Sequence, residues 1–421
     1  MISNKKRLLD TEHFCILPFV SSRIWHTAVV PCCVNHETVF GRTTEESLEE
    51  IYSNDNSILK DFRKQMINGP KLSESCQRCT DCERSGVKSY RQVNNEKYGH
   101  LINELDFDDQ GNLTEFKVHM WDGVGYTNLC NLKCRMCHSY LSTTNREEEV
   151  KHNLPMKSVS IIQKKQLENF KDLLPKVLIN SFDNIEDLYN FFYDHIDTTK
   201  EIKFEGGEPL IMEEHYKLLM LLLDQGKTDV ILNYPTNLTK LKLKDYDCIE
   251  LWKQFKQINI CVSLDAFDLQ NRYIRHPADW TQIVSNLERI RKECPHVNLT
   301  VQTTIQILNS FAATKLHKWA TDLELPVNFV FLKYPLNMSL TSLSIEYKNK
   351  VKQHWNEYKI QAPIHTHKDI DGFLKMMEAE DTSETLGEFF TLMKERDRVR
   401  SENLFETFPE LIELDKNDKR N

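Results

Sequence analysis

Three cysteines, Cys130, Cys134 and Cys137, stand in the run Tyr126-Thr-Asn-Leu-Cys-Asn-Leu-Lys-Cys-Arg-Met-Cys137, separated by three and then two residues. The set is one thiol short of the four that close a metal site. An iron–sulfur cluster on four thiolates is coordinatively full, whereas three leave one iron open to a further ligand, an arrangement suited to chemistry. Two plainer readings stand beside this one. On a helix, positions 130, 134 and 137 share one stripe, and the thiols would be small core residues. Against that, Asn131, Lys133 and Arg135 intervene and Thr127-Asn128 opens like a turn. A zinc ion with His138 as fourth ligand is the other rival, although adjacent ligands on one chain fit a tetrahedron awkwardly.

Twelve cysteines in 421 residues raise the question of redox compartment. The amino terminus, Met1-Ile-Ser-Asn-Lys-Lys-Arg7, starts basic but is followed by no apolar stretch with a small-residue cleavage site, so a reducing, cytoplasmic setting with thiols free or metal-bound is expected. The longest apolar run, near Leu218–Leu223, falls short of a membrane span. A net charge of −9, with both signs mixed along the chain, disfavours nucleic acid as the main partner. At this length, two or three units are expected.

The cysteines sort by position. Cys15, Cys32, Cys33, Cys76, Cys79 and Cys82 precede residue 83, three form the central run, and Cys248, Cys261 and Cys294 stand alone as small hydrophobes. Residues 83–112 are polar and read as a linker. From residue 115 onward, apolar strands alternate with amphipathic helices. Strands are predicted at 115–121, 201–205, 229–234, 257–264, 297–305 and 326–332, and helices at 166–178, 184–194, 213–225, 280–293 and 312–323. Such alternation implies a parallel sheet with helices outside, wound open or curled into a barrel, and six repeats are too few for a closed eight-fold barrel. Residues 341–421 read as helical and charged.

In parallel α/β folds the ligand lies at the carboxyl ends of the strands. The three-thiol loop follows the first predicted strand, Glu205-Gly206-Gly207-Glu208-Pro209 the second, and Thr236-Asn237 the third; Ser263-Leu-Asp265 ends the fourth, and Gln306 and Asn309 follow the fifth. Five strand ends in succession carry polar or ligand-type groups, as a site on one rim requires. In the Gly206-Gly207-Glu208-Pro209 turn, glycines permit close backbone approach, Pro209 stiffens the exit, and Glu208 would accept from an ammonium group. The plain alternatives are a strand-to-helix turn with Glu208 at the helix start, an Asx turn at Asn237, and a helix cap at Ser263 and Asp265.

These residues together resemble the radical S-adenosylmethionine superfamily, whose hallmark is Cys-x3-Cys-x2-Cys after the first strand of a partial (β/α)6 TIM-like barrel. The resemblance spans about residues 115–335 and adds the Gly-Gly-Glu-Pro motif at Gly206–Pro209, which in that family holds the methionyl amino group. It implies that Cys130, Cys134 and Cys137 bind a [4Fe-4S] cluster. It further implies that Met136, Gly206, Gly207, Glu208, Pro209, Asn237, Ser263 and Asp265 contact S-adenosylmethionine. Met136 stands where an aromatic residue is frequent, and Leu238 where many relatives have glycine. The amino-terminal segment is similar to the SPASM/Twitch type of auxiliary-cluster domain, which implies Cys15, Cys32, Cys76 and Cys79 as ligands of a second [4Fe-4S] cluster, with Cys33 and Cys82 as rivals. On spacing alone, zinc fits Cys76-x2-Cys79 equally well.

The expected architecture is therefore α/β: an auxiliary-cluster domain at 1–100, a partial barrel at 101–340, and a helical carboxyl-terminal extension at 341–421. The implied activity is reductive cleavage of S-adenosylmethionine to a 5′-deoxyadenosyl radical that abstracts hydrogen from a substrate, with flavodoxin or ferredoxin as a fitting one-electron reductant. Auxiliary-cluster relatives often modify ribosomally made peptides, which favours a peptide substrate over a small molecule or carbohydrate. The competing class is a metal-cluster scaffold or electron carrier without turnover, which has no need of Gly206–Pro209. No residue stands out as catalytic acid or base. The tail Glu402-Asn-Leu-Phe-Glu-Thr-Phe-Pro-Glu-Leu411 resembles tails of the same subgroup, with no role evident.

Overall fold

A computed structural model describes residues 5–69, 73–84, 88–154 and 176–418. Most of the helix predicted at 166–178 lies outside these residues. The strands are β1 (Ser21–Trp25), β2 (Ala28–Val29), β3 (Gly41–Arg42), β4 (Met120–Gly125), β5 (Glu201–Glu205), β6 (Ile231–Thr236), β7 (Lys242–Leu243), β8 (Tyr246–Asp247), β9 (Ile258–Ser263), β10 (Val297–Ile305) and β11 (Val327–Phe331). Nine of them form a largely parallel sheet in the order β11-β10-β9-β6-β5-β4-β1-β2-β3, and β7 pairs with β8 separately. Among the described residues, no helix is long and apolar enough to cross a membrane.

The chain divides into two compact units, the first comprising Met1–Asn128, Ile179–Asn233 and Gln254–Ile258, the second Leu129–Leu178, Tyr234–Lys253 and Asn259–Asn421. In the first, β4 pairs in parallel with β5, and β5 with β6. On the other side of β4 lies β1, also parallel, which continues through the antiparallel β2 and β3. Periodicity alone leaves β1 unannounced, because Ser21, Ser22 and Arg23 read as polar; all three are buried.

The strand predicted at 115–121 runs instead from Met120 to Gly125, because Gly123 and Gly125 interrupt the apolar pattern that marks a strand. Register shifts on both sides of β4 fall beside Gly123, whose φ is +138°. A Cβ there would stand 2.5 Å from Arg23 Nη1 and 2.9 Å from Glu205 Oε2. The missing side chain is what lets the Arg23 guanidinium cross β4 to reach the Asp122 carbonyl and the Glu205 carboxylate, the latter at 2.6 Å.

The stretch 83–112 is no linker. Ser89 and Gln92 form a capping box that starts a helix at Tyr90–Tyr98, and Tyr98, Ile102, Leu105 and Phe107 are buried. Its polar composition suggests solvation, yet Arg91, Asn94 and Asn95 are buried and hydrogen-bonded.

In the second unit, β10 and β11 pair in parallel, and the predicted helices appear at Trp280–Glu293 and Ala313–Asp322. One apolar cluster gathers Ile274, Ile305 and Leu308 with Trp355, Phe373, Phe389 and Leu411. The charged carboxyl-terminal helices therefore share the core of the preceding strands and helices. Trp355 is fully buried and donates from Nε1 to the Ser310 carbonyl at 2.6 Å.

Gly123→Ala is expected to destabilise the chain by about 2 kcal/mol or more, through strain at positive φ and displacement of Arg23. Urea unfolding would show it as a lower midpoint at unchanged slope.

Candidate metal centres and the glycine turn

Four thiols of the first unit, those of Cys15, Cys32, Cys76 and Cys79, line one small cavity together with His13 and Tyr90. They arrive on separately anchored segments. Arg91 Nη1 donates to the carbonyls of Thr11 and Phe14 at 2.8 and 2.9 Å, while Asn95 takes the Ile16 N–H and gives its amide hydrogen to Phe14 O, each at 2.9 Å. The backbone on both sides of Cys15 is thereby fixed. Cys76 and Cys79 lie one turn apart on the helix Glu74–Arg84, so both face one way. Asn35, fully buried, ties the Cys32 segment to them: its N–H reaches the Cys32 carbonyl at 3.3 Å, and its side-chain amide donates to Ser73 Oγ at 3.0 Å and Cys76 Sγ at 3.5 Å.

Burial pushes the Cys15 thiol up to about 12, and nearby Cys76 and Cys79 add to the rise. Cys32 is likewise raised by burial, with Cys15 adding. Thiols gathered this way resist ionising unless a cation compensates, as the iron of a cluster does. The donor set, four soft sulfurs around one space, fits an iron–sulfur cluster. Among the described residues, no three His, Cys, Asp or Glu side chains converge tightly enough to hold a single metal ion as they stand.

Cys33 and Cys82 do not line this cavity. Cys82 is exposed. Cys33 turns to a polar knot instead, where its N–H donates to Asp122 Oδ2 at 3.0 Å and the Tyr90 hydroxyl donates to Asp122 Oδ1 at 2.5 Å. Asp122 and Tyr90 carry no sequence signal, although Tyr90 faces both the cavity and this knot.

In the second unit, Cys130, Cys134 and Cys137 occupy a loop, which removes the helical-stripe reading. The loop is pinned at close intervals. Lys133 N–H donates to His276 O at 2.6 Å and Arg135 N–H to Ile274 O at 2.8 Å; the Ser142 and Thr144 hydroxyls hold the Leu132 carbonyl, each at 2.8 Å; Thr143 Oγ1 accepts the Cys130 N–H at 3.2 Å. Met136 packs against the apolar cluster, and His138 stacks on Tyr140.

The side chains flanking the thiols are anchored too. Arg135, 1 % exposed, stacks over the Tyr273 ring and pairs with Asp397 at 2.5 Å and Glu402 at 2.7 Å. Lys133, Arg396 and Arg400 converge on Glu148 at 3.0, 2.7 and 2.7 Å. The tail around Glu402 thus gains a role that its sequence does not show.

Asn237 forms the Asx turn, its oxygen accepting from the Thr239 N–H at 3.0 Å, and its amide also donates to Asn131 of the cysteine loop at 3.1 Å. Leu238, where a glycine would be easier, takes φ of +53°. Ser263 ends β9, half-buried. Asp265 lies just beyond that strand end. It is fully buried; its Oδ1 accepts the Thr304 N–H at 2.8 Å, and its Oδ2 forms an ion pair with Arg275 Nε at 2.7 Å.

The Gly206–Pro209 turn belongs to the first unit. Gly206 has φ of +111°, and a Cβ on it would lie 2.7 Å from the Thr127 carbonyl, which also accepts the Gly207 N–H at 3.2 Å. Glu208 caps the short helix Pro209–Ile211 through the Leu210 N–H at 3.2 Å, the plain alternative for this residue.

Burial alone would raise Glu148, but Arg400, Lys133 and Arg396 outweigh it and hold the carboxyl well below the usual range. Glu402 is lowered in the same way, by His276 and Arg135 against burial. A carboxylate depressed on folding contributes stability that is full above its unfolded value and lost as pH falls toward the folded one. Stability is therefore expected to decline below about pH 4.5, and Glu148→Gln to make that decline shallower in urea melts across pH.

Residues 22–82 match the SPASM iron–sulfur cluster-binding domain, a span that includes Cys32, Cys33, Cys76, Cys79 and Cys82 and leaves Cys15 just outside. Comparison with curated proteins finds no match. Among solved structures the chain is similar to anSMEcpe with bound AdoMet and Cp18Cys peptide (15% identity, 56% of this chain and 58% of that one, TM-score 0.34). It is also similar to a histidine-tagged anSMEcpe with bound AdoMet (16%, 56% and 56%, 0.35) and to TYW1 with a lysine-pyruvate adduct bound (13%, 58% and 72%, 0.28). The aligned region spans less than two thirds of either anSMEcpe chain. By the match at residues 22–82, the first unit carries a SPASM-type iron–sulfur cluster-binding domain.

Proposed function

We propose that this chain is a radical S-adenosylmethionine enzyme with two [4Fe-4S] clusters. One would be held by Cys130, Cys134 and Cys137, the other by Cys15, Cys32, Cys76 and Cys79. The observation that carries the reading is the three-thiol loop, whose backbone is fixed on both sides of Cys134 while no fourth cysteine appears in the run. When bound, such a cluster supplies one electron that cleaves the sulfonium and yields a 5′-deoxyadenosyl radical.

The protein's own residues then have defined tasks. Gly206 and Gly207 offer close backbone approach, Pro209 stiffens the exit, and Glu208 accepts from the methionyl ammonium. Met136, Ser263 and the Asn237 turn border the nucleoside. The anchors around the cysteine loop keep three sulfurs in register without a regular helix or strand. We read β4, β5, β6, β9, β10 and β11 as the strands of the partial (β/α)6 barrel, and residues 341–421 as its helical extension. The substrate class that fits the auxiliary-cluster resemblance is a ribosomally made peptide, and the reductant a flavodoxin or ferredoxin.

Anaerobically reconstituted protein given dithionite and S-adenosylmethionine is expected to release 5′-deoxyadenosine. Cys134→Ala should abolish that product and lower bound iron by about four atoms per chain, while the amino-terminal iron remains. Equal turnover by this variant would overturn the ligand assignment. Cys76→Ala is expected to lose the amino-terminal iron, and Cys82→Ala to keep it; the reverse pattern would exchange their roles.

A further inference from the structure

Arg275 sits where no sequence motif marks it. The two backbone bonds from Lys133 N–H to His276 O and from Arg135 N–H to Ile274 O bracket one residue on each segment. Those residues are Cys134 and Arg275. The two bonds hold the helix end that carries Arg275, the C-cap of Leu269–Ile274, against the backbone on both sides of Cys134.

The guanidinium forms an ion pair with Asp265, Nε to Oδ2 at 2.7 Å, and Asp265 is itself anchored by three hydrogen bonds. Its N–H is taken by Asn271 Oδ1 at 3.0 Å, its carbonyl by Asn309 Nδ2 at 2.8 Å, and its second carboxylate oxygen by Thr304 N–H at 2.8 Å. A charge pair is costly to bury, and removing one partner costs more than the pair contributes, so a fully buried Asp on a nearly buried Arg asks for a reason. The cation also feels the thiol loop. Burial works against its charge, and Asp265 first, then Cys134 and Cys137, raise its affinity for the proton.

We propose that Arg275 is a positioning residue for the three-thiol centre, presenting the positive end of a fixed Arg275–Asp265 dipole to Cys134 so that a cluster held there is easier to reduce. This rests on the function proposed above. Cluster potentials follow net charge, hydrogen bonding and burial around the sulfurs, and ligand sets are tuned by the groups behind them. In a buried site a full charge acts strongly because little water screens it. Removing the cation should therefore stabilise the oxidised cluster, and removing its counter-charge should stabilise the reduced one.

The test is a redox titration of the full chain, reconstituted anaerobically, following the paramagnetic signal that changes when S-adenosylmethionine is added. Arg275→Met is expected to shift its midpoint downward and Asp265→Asn upward, with Arg275→Lys close to wild type. A purely structural role predicts no such opposition of sign. Shifts in the same direction, or none while the signal persists, would overturn the proposal. If Arg275→Met fails to retain iron, Asp265→Asn decides alone, and the absence of an upward shift sinks the idea. If wild-type protein shows no signal that responds to S-adenosylmethionine, the function proposed above fails, and this inference with it.

Discussion

The thiol-bearing segments of this chain are held by side-chain-to-backbone and backbone bonds between remote residues, and everything else about its centres depends on those bonds. Cys130, Cys134 and Cys137 sit on a loop, where no ladder fixes sulfur positions. Local hydrogen bonding from Ser142, Thr143 and Thr144 on one side and from residues 274–276 on the other does what a strand pair does elsewhere. Arg91, Asn95 and Asn35 serve Cys15 and Cys32 in the same manner in the first unit. An irregular segment ordered in this way can carry ligands at spacings that a helix or strand would not allow.

Such anchoring requires buried polar groups, and these in turn require partners. Arg135, Arg396 and Glu148 are almost completely buried, and each is engaged by two or more opposite charges or ring faces. The groups that pair with the cysteine loop and its neighbour Glu148 come from the helix Leu386–Arg400 and the tail after it. The carboxyl-terminal helices thus serve the loop twice, through a shared apolar core and through these pairs. A buried pair adds little net stability compared with apolar packing, but breaking one is costly, so the network favours a single geometry. A centre whose ligand spacing must be kept is a sensible place for that trade.

Much of this is legible in the sequence. Apolar periodicity places β5, β9, β10 and β11 and the helices at 280–293 and 312–323 within a residue or two, because each is a regular element with a buried face. The cysteine spacing points to the loop, and the amino-terminal thiols to a second site. What escapes is polar and buried. Arg23, Arg91 and Asn95 have the residue types of a solvated surface, so neither β1 nor the Tyr90–Tyr98 helix shows in the apolar pattern. Gly123 looks like a strand breaker and is the reason the strand can carry its bulge. Each of these depends on a contact partner far away in the chain, or on the absence of a side chain, and neither leaves a local pattern.

Asp265 shows how a carboxylate at a strand end finds a partner inside the protein. It lies just past the end of a parallel strand, where ligand-binding groups collect, and its residue type suits a hydroxyl or ammonium partner. Burial changes the choice. A carboxylate with no access to water needs charge compensation from the protein, and Arg275 provides it from the segment that pairs with the cysteine loop. Strand ends can thus hold two kinds of acidic residue. Glu208, 2 % exposed, caps a backbone N–H, that of Leu210, whereas Asp265 is matched to a resident cation. Which of the two a strand-end carboxylate becomes is decided by the group that folds against it, so for Asp265 the deciding information lies in Arg275 and in the backbone bonds that hold its segment to the cysteine loop.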